Sequence, residues 1–226
     1  MDVRRGTRTW PGPARKALAL PAAAIAFTIM TGSGMPAHAA DGAPSTAITV
    51  VRSGIPKGFL LYESGATRKR FEKEIGPMSW RFSDLRDVPL LIDPCATARR
   101  TDVGRQAART VTGRSVKWDG DYSEQLIVYR DETAARRAVE GLRSQLHRCG
   151  ERNRQYFTYK TKPVRIGDEA FLVDVFQHAT TMGGTVMRQG RTVAVYTLPY
   201  AQNWRESEYG VSQAGKMARK LERFNR

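Results

Sequence analysis

Basic side chains recur at even positions between residues 152 and 162, and this spacing suits them to hold a ligand. Residues two apart in a β-strand lie on one face, so a strand here places positive charge on one side and turns Phe157 and Tyr159 toward the core. Such a stripe can contact phosphate or carboxylate groups spaced along a polymer; the alternative is an ordinary solvated face. The candidate ligand-binding residues of the stripe are Arg152, Arg154, Tyr156, Lys160 and Lys162.

Two further arginines, Arg188 and Arg191, flank a predicted turn at Gln189-Gly190. They either extend the basic stripe as ligand contacts or serve only the solubility of a hairpin. Both are candidate ligand-binding residues.

Paired carboxylates are a second feature that could support chemistry, because glycosidases use two of them across one cleft. Asp168 and Glu169 stand next to each other, with Asp174 nearby. Neighbouring residues in a strand point to opposite faces, so at most one of the first two can line a common cleft. A small cell-wall-active hydrolase that uses Asp168 or Glu169 is therefore the enzymatic alternative, and no catalytic residue is assigned.

The sequence predicts no cofactor and no metal site. Asp119-Gly120-Asp121 imitates the start of a calcium loop, but the twelfth position, where that loop needs an acidic residue, is Arg130. Outside residues 1–40 only His147 and His178 accompany the two cysteines, which stand 54 positions apart and do not form a tetrahedral zinc set.

The two cysteines, Cys95 and Cys149, predict one disulfide, because an oxidising compartment favours the pairing of isolated cysteines. In the chain-entropy model, closing a loop of this length stabilises a fold by roughly 4 kcal/mol. Cys149 continues the apolar stripe of a predicted helix. The bond would therefore fasten that helix to the element that contains Cys95.

The amino-terminal segment predicts export. Five basic residues precede an apolar run from Ala17 to Met30, and Ala37-His38-Ala39 provides the small residues that signal peptidase needs. The run is short for the ~30 Å hydrocarbon core of a membrane, although a retained anchor is the alternative. The predicted organisation is a signal peptide over 1–40 cleaved near Ala39 or Ala40, a disordered leader over 41–47, and a single secreted domain over 48–226.

The excess of basic residues points to an anionic partner. The chain carries 37 Lys and Arg against 22 Asp and Glu, and residues 1–40 hold five of the basic and one of the acidic residues, so the mature part keeps a net charge of +11. An exported protein meets wall polymers, anionic lipid head groups and acidic polysaccharides first. We expect a cell-envelope polyanion or a small ligand as partner and no nucleic acid, with peripheral association with the membrane or wall surface as a further option.

Periodicity predicts mixed strands, one strong helix, an antiparallel meander and a final helix. The strong helix runs from Asp131, its N-cap, to Cys149, and Gly150 ends it. Gly183-Gly184 and Gln189-Gly190 predict tight hairpins. Strands joined by hairpins with helices on one face make an α+β fold. The other predicted elements are a helical turn over 68–74, a helix cap at 83–85, a hairpin over 116–129, strands over 155–162, 170–181 and 185–198, and a helix over 206–224; residues 101–112 have no assignment.

Five short motifs span about 70 residues: Leu126-Ile-Val-Tyr-Arg-Asp131, Ala134-Ala135 with Ala138, Leu142-Arg-Ser-Gln-Leu146 with Cys149, Ile166-Gly-Asp-Glu-Ala170, and Met187-Arg-Gln-Gly-Arg-Thr-Val193. Together they resemble the extracellular sensor domain of the mycobacterial serine/threonine kinase PknH and its free-standing relatives in secreted actinobacterial proteins and lipoproteins. The resemblance implies an antiparallel sheet flanked by helices, a cleft open to solvent, and a binding or sensing role without catalytic residues. The relatives often carry a second cysteine pair, which this chain lacks.

These observations predict a secreted, non-enzymatic, sensor-like binding domain for an envelope-associated, anionic ligand. The alternatives are the hydrolase and a structural envelope protein held at an anionic wall by its charge. A hydrolase loses activity when one carboxylate is neutralised, whereas a binder loses affinity gradually as arginine and lysine are removed. A structural protein shows no preference among polyanions of equal charge density.

Overall fold

The computed structural model describes residues 54–92, 99–116, 120–152, 157–177, 180–199 and 204–224, and within them seven antiparallel strands form one sheet. The strands are β1 (Met78–Ser83), β2 (Arg105–Ser115), β3 (Asp121–Tyr129), β4 (Phe157–Val164), β5 (Glu169–Gln177), β6 (Thr180–Gln189) and β7 (Thr192–Pro199). Their order across the sheet is β1-β2-β3-β7-β6-β5-β4. The chain therefore builds one edge first, crosses to the opposite edge after β3, and returns strand by strand to the centre.

The helices among the described residues are α1 (Gly65–Ile75), α2 (Glu132–Arg152) and α3 (Trp204–Phe224), and 3-10 turns lie at Leu61–Glu63 and Arg99–Asp102. Helix α2 begins where the sequence predicts, because Asp131 Oδ1 accepts a hydrogen bond from the Ala134 amide at 2.6 Å. The predicted end at Gly150 is wrong, since the helix continues to Arg152. Helices α1 and α3 confirm the other two predicted helical segments and extend each toward its amino-terminal side.

Helices cover both faces of the sheet, so the α+β class is confirmed but the placement of helices on one face is wrong. Leu126 and Val128 of β3 pack in a core with α1, α3 and the segment before α1. Ile127 and Tyr129, which alternate with them, pack in a second core with α2. Every residue from Thr192 to Leu198 of β7 is buried. A central strand buried at successive positions needs cover on both sides.

One of the two predicted tight hairpins is wrong. Gly190, with φ of +56°, turns the chain between β6 and β7 as expected. Gly183 and Gly184 instead lie inside β6, paired with β5 and β7. A Cβ at Gly184 would collide with Ile92 Cδ1, so this glycine serves close packing of the 88–92 segment on the sheet and does not make a turn.

The amino-terminal half departs further from the prediction. Ser83 ends strand β1, which the sequence analysis does not predict, and its Oγ accepts a hydrogen bond from the Leu85 amide at 3.2 Å. This contact imitates a helix cap, but a turn follows instead of a helix. The unassigned 101–112 stretch enters strand β2, which pairs with β3 in the predicted hairpin.

Cys149 lies near the carboxyl end of α2 with 4 % of its surface exposed, on the buried face that its spacing predicts. Cys95 lies outside the described residues, so its pairing with Cys149 stays a prediction. Residues 1–47 also lie outside them, and the signal peptide, its cleavage and the leader stay predictions. Within the described part of the chain, no helix combines the length and hydrophobicity needed to cross a membrane.

Candidate functional site

A groove with a volume of about 420 Å³ runs along one side of α2, and we call it the α2 groove. Its inner wall is the helix itself, and its outer wall is the loop that precedes β2. The lining residues are Val103, Arg130, Ala134, Arg137, Glu140, Gly141, Ser144 and Arg148.

The sequence forms this groove through helical spacing and small side chains. Positions 134, 137, 141, 144 and 148 of α2 follow one another at three- and four-residue steps, so they share one face of the helix. Gly141 and Ser144 in the middle of this row leave open space. At the amino-terminal end the backbone amide of Arg130 donates to Gly104 O at 2.8 Å, which holds the outer wall against the helix.

The outer wall comes close because residue 104 is a glycine. Its φ is +84°, a conformation that other residues rarely adopt. A Cβ there would lie 3.1 Å from the Ala134 Cβ, tighter than normal van der Waals contact. Gly104 therefore sets both the path of the loop and the width of the groove.

Positive charge dominates the α2 groove, since three arginines face one glutamate. Arg130 is in part compensated, because its Nε lies 3.0 Å from Asp131 Oδ2. Arg137 and Arg148 are exposed, and neither forms an ion pair with another residue that the structure describes. Their guanidinium groups present planar sets of donors that match phosphate and carboxylate oxygens.

Two other cavities mix both signs of charge. One, of about 590 Å³, lies beside the buried Arg109, which forms ion pairs with Glu63 and Asp84. The other, of about 630 Å³, lies between α3 and the β6–β7 turn, where Arg165 and Arg219 stand with two carboxylates. Basic and acidic lining residues number three and two in the first of these cavities and two and two in the second, so neither has the positive excess of the α2 groove, where three arginines face one glutamate.

The structure places part of the predicted basic stripe on the other side of the sheet from α2. Tyr159 of β4 packs toward the α2 core, so Lys160 and Lys162, which alternate with it, lie on the opposite face. Both lysines are exposed on an edge strand, and Lys160 Nζ lies 5.1 Å from the centre of the Phe176 ring.

The remaining stripe residues do not continue this strand as far as the structure describes them. Arg152 belongs to the last turn of α2, so the strand alternation that joined it to Lys160 does not hold. Arg154 and Tyr156 lie outside the described residues. Arg191 is half-buried at the β6–β7 turn, where its carbonyl accepts from the Tyr129 amide at 2.9 Å.

Arg188 is buried within an ion-pair network on the α2 side of the sheet. Its Nη1 donates to Asp168 Oδ2 at 2.9 Å and to Gly190 O at 3.0 Å, and 7 % of its side chain is exposed. It therefore does not share the face of Lys160 and Lys162, and the predicted extension of the stripe to Arg188 is wrong in geometry.

The carboxylates of the hydrolase alternative belong to the same network. Asp168 Oδ2 also accepts from the Gly190 amide at 2.6 Å, so it holds the β6–β7 turn. Glu169 Oε1 accepts from Arg143 of α2 at 3.2 Å. A Cβ at Gly167, whose φ is +59°, would lie 2.5 Å from the carbonyl oxygen of Arg188. The 166–170 motif thus contacts both the β6–β7 turn, through Asp168, and helix α2, through Glu169.

A carboxyl group outside the predicted carboxylate set lies in the opposite core. Glu124 of β3 is fully buried; its Oε2 accepts from the Tyr62 amide at 2.6 Å and its Oε1 from the Tyr196 hydroxyl at 2.8 Å. Burial raises the pKa of Glu124 to about 7. Glu124 therefore fastens the 3-10 turn before α1 to the sheet.

No family model matches the chain, and no curated protein matches it. Among solved structures, the chain is similar to the crystal structure of the extracellular domain of PknH from Mycobacterium tuberculosis, with a TM-score of 0.51 and 12 % sequence identity. The match covers 75 % of this chain and 98 % of that one. At this identity the similarity shows a shared fold, which confirms the fold that the sequence motifs imply.

Proposed function

We propose that this chain is an extracellular, non-enzymatic, sensor-like domain that binds an anionic, envelope-associated ligand in the α2 groove. The observation that carries this proposal is the lining of the groove, where Arg137 and Arg148 are exposed without an ion-pair partner among the described residues. The export signal over residues 1–40 and the Cys95–Cys149 disulfide are parts of the same proposal. The fold shared with an extracellular domain is consistent with it.

The arrangement of Asp168 and Glu169 supports binding over hydrolysis. A general acid or nucleophile must reach the substrate, but Asp168 bonds the Arg188 side chain and the Gly190 amide, and Glu169 bonds Arg143. The substitution Asp168→Asn consequently tests the hydrolase alternative. A binder keeps its affinity in this variant if the domain remains folded, whereas a hydrolase loses its turnover.

The decisive experiment compares two double variants of equal charge loss. The pair Arg137→Gln and Arg148→Gln removes the two groove arginines that form no ion pair among the described residues, and the pair Lys160→Gln and Lys162→Gln removes the two exposed lysines of β4. Binding of labelled polygalacturonate to the mature domain is measured by fluorescence anisotropy at several salt concentrations, with circular dichroism as the control for folding.

We expect the groove variant to lose affinity by at least about tenfold, because each charge-assisted hydrogen bond contributes about 1.5–3 kcal/mol. The β4 variant is expected to lose only the small, salt-sensitive part that long-range attraction provides. Equal losses in both variants would favour the structural envelope protein, whose binding follows net charge alone. A loss of affinity confined to the β4 variant would show that the ligand binds at the predicted stripe and not in the α2 groove.

A further inference from the structure

The arginines of the α2 groove are spread along its length. Arg137 and Arg148 lie on the same helix face eleven residues apart, which corresponds to about 16 Å along the axis at 1.5 Å per residue. Arg130 adds a third guanidinium beyond Arg137. Between Arg137 and Arg148 the groove is lined by Glu140, Gly141 and Ser144.

Glu140 is the acidic residue of the groove lining. It lies three residues from Arg137 and eight from Arg148, about 4.5 Å and 12 Å along the helix axis, so it weakens the positive field beside Arg137 more than beside Arg148. Three arginines against this glutamate keep the groove positive. Gly141, without a side chain, lets a ligand chain approach the helix backbone.

A small anion fits this arrangement poorly. An anion such as phosphate can reach one of the two arginines only, and it leaves the other unused.

We propose that the α2 groove binds a linear polyanion, a chain with phosphate or carboxylate groups at intervals, laid along the helix so that Arg137 and Arg148, which are about 16 Å apart along the helix axis, each hold one of these groups. This inference rests on the proposed function and names the ligand class of the same site. It assigns Arg148 a specific role as the far contact, which a short ligand cannot reach from Arg137.

The test is a length series of oligogalacturonates, from the monomer to the octamer, titrated into the mature domain and into its Arg148→Gln variant. In the wild-type domain we expect affinity to rise once the oligomer spans both ends and then to level off. In the variant that gain is expected to disappear, which corresponds to a loss of about tenfold for long oligomers. The slope of log K against log salt should fall by about one for the removed contact. Lys162→Gln is the charge-matched control.

The outcomes separate this inference from the proposed function. Monomer binding as tight as octamer binding, lost with Arg137→Gln and unaffected by Arg148→Gln, would overturn the linear polyanion and leave an anion-binding groove. Tighter binding to anionic phospholipid vesicles than to any oligomer, sensitive to the groove arginines, would replace it with an amphiphile. Affinity that no groove substitution changes would overturn both proposals.

Discussion

Replacement of Glu124 by glutamine should change how the stability of this domain depends on pH. The carboxyl group is fully buried and bonds the Tyr62 amide and the Tyr196 hydroxyl. Burial raises its pKa from the ordinary value of 4.5 to about 7. The folded protein therefore holds this proton more tightly than the unfolded chain does, and the protonated group contributes stability that is complete below about pH 4.5 and is lost as the pH rises through about 7.

The magnitude follows from the size of the shift. One pKa unit corresponds to about 1.4 kcal/mol, so the wild-type domain should lose about 3 kcal/mol from this group between about pH 4.5 and pH 8. Glutamine has the same shape and no charge, but its amide replaces one acceptor oxygen and should cost about 1 kcal/mol at acidic pH. The Glu124→Gln variant should be the less stable protein near pH 4 and the more stable one, by about 2 kcal/mol, near pH 8.

Other titrating groups near this core act outside that window. Arg109 and backbone amides lower the pKa of Glu63, so its contribution is lost only in stronger acid. Burial raises the pKa of Tyr62 and Tyr196 well above their ordinary values. Lys220 favours the charged form of Glu124, but burial outweighs this effect and the pKa of Glu124 is raised. The pH at which the stability curves of the wild-type and Glu124→Gln domains cross thus depends on the titration of Glu124.

The assay is urea unfolding of the wild-type and Glu124→Gln domains at a series of pH values between about 4 and 8, where linear extrapolation gives the free energy of unfolding. Glu72→Gln, at an exposed position of α1, is the matched control and should follow the wild type. Parallel curves for wild type and Glu124→Gln, or a wild-type domain that gains stability as the pH rises from 5 to 8, would show that Glu124 does not hold its proton more tightly in the folded state.

Three further predictions concern stability. Reduction of the predicted Cys95–Cys149 bond should lower the free energy of unfolding by roughly 4 kcal/mol, and the intact mass of secreted protein should show two hydrogens fewer than the reduced form. Arg188→Ala should destabilise the domain by about 1.5–3 kcal/mol in denaturant unfolding, because it removes the charge-assisted hydrogen bonds of a buried guanidinium to Asp168 and to the Gly190 carbonyl. Gly184→Ala should cost about 1–3 kcal/mol, and Ile92→Ala in the same chain should relieve part of that cost, since the new methyl group meets the Ile92 side chain.

Each of these stability predictions has an outcome that contradicts it. Thiol titration that finds two free cysteines in the secreted protein contradicts the first. For the second, the control is Arg191→Ala at the same hairpin, and an equal loss in both variants would mean that the network contributes nothing particular. Additive losses in the Gly184 and Ile92 double variant would show that the two positions are not in contact.

Local signals in the sequence predict the elements whose periodicity is strong. The apolar stripe of α2 and its Asp131 cap locate that helix, and Gly190 locates the last hairpin. Gly183 and Gly184 mislead because a glycine pair is typical of a turn, whereas here Gly184 gives room to Ile92 from a distant segment. Such contacts depend on tertiary packing and leave no local pattern.

One sequence pattern does indicate that helices cover both faces of the sheet. The run Thr192–Leu198 alternates only weakly between polar and apolar residues, which is typical of a strand buried on both sides. Strand β1 has the mixed pattern of an edge strand, partly exposed along its length, and carries no comparable signal.

The sequence predicts the charge of the ligand but not the location of the candidate site. The excess of basic residues indicates an anionic ligand. The predicted stripe, however, needs one strand through residues 152–162, whereas Arg152 belongs to α2 and the strand begins only at Phe157. The α2 groove depends on the loop at Gly104 meeting the helix at Ala134, which no spacing in the sequence reveals. The sequence pattern that indicates the groove is the placement of Arg137, Gly141 and Arg148 on one face of the predicted helix.

The most direct test of the central claim is amide chemical-shift mapping of the ¹⁵N-labelled mature domain during titration with an oligogalacturonate. The α2 groove account predicts shifts concentrated at residues 130–148 and at Val103 and Gly104, with little change along β4. Shifts concentrated at residues 158–164 of β4, with those of α2 unmoved, would contradict it.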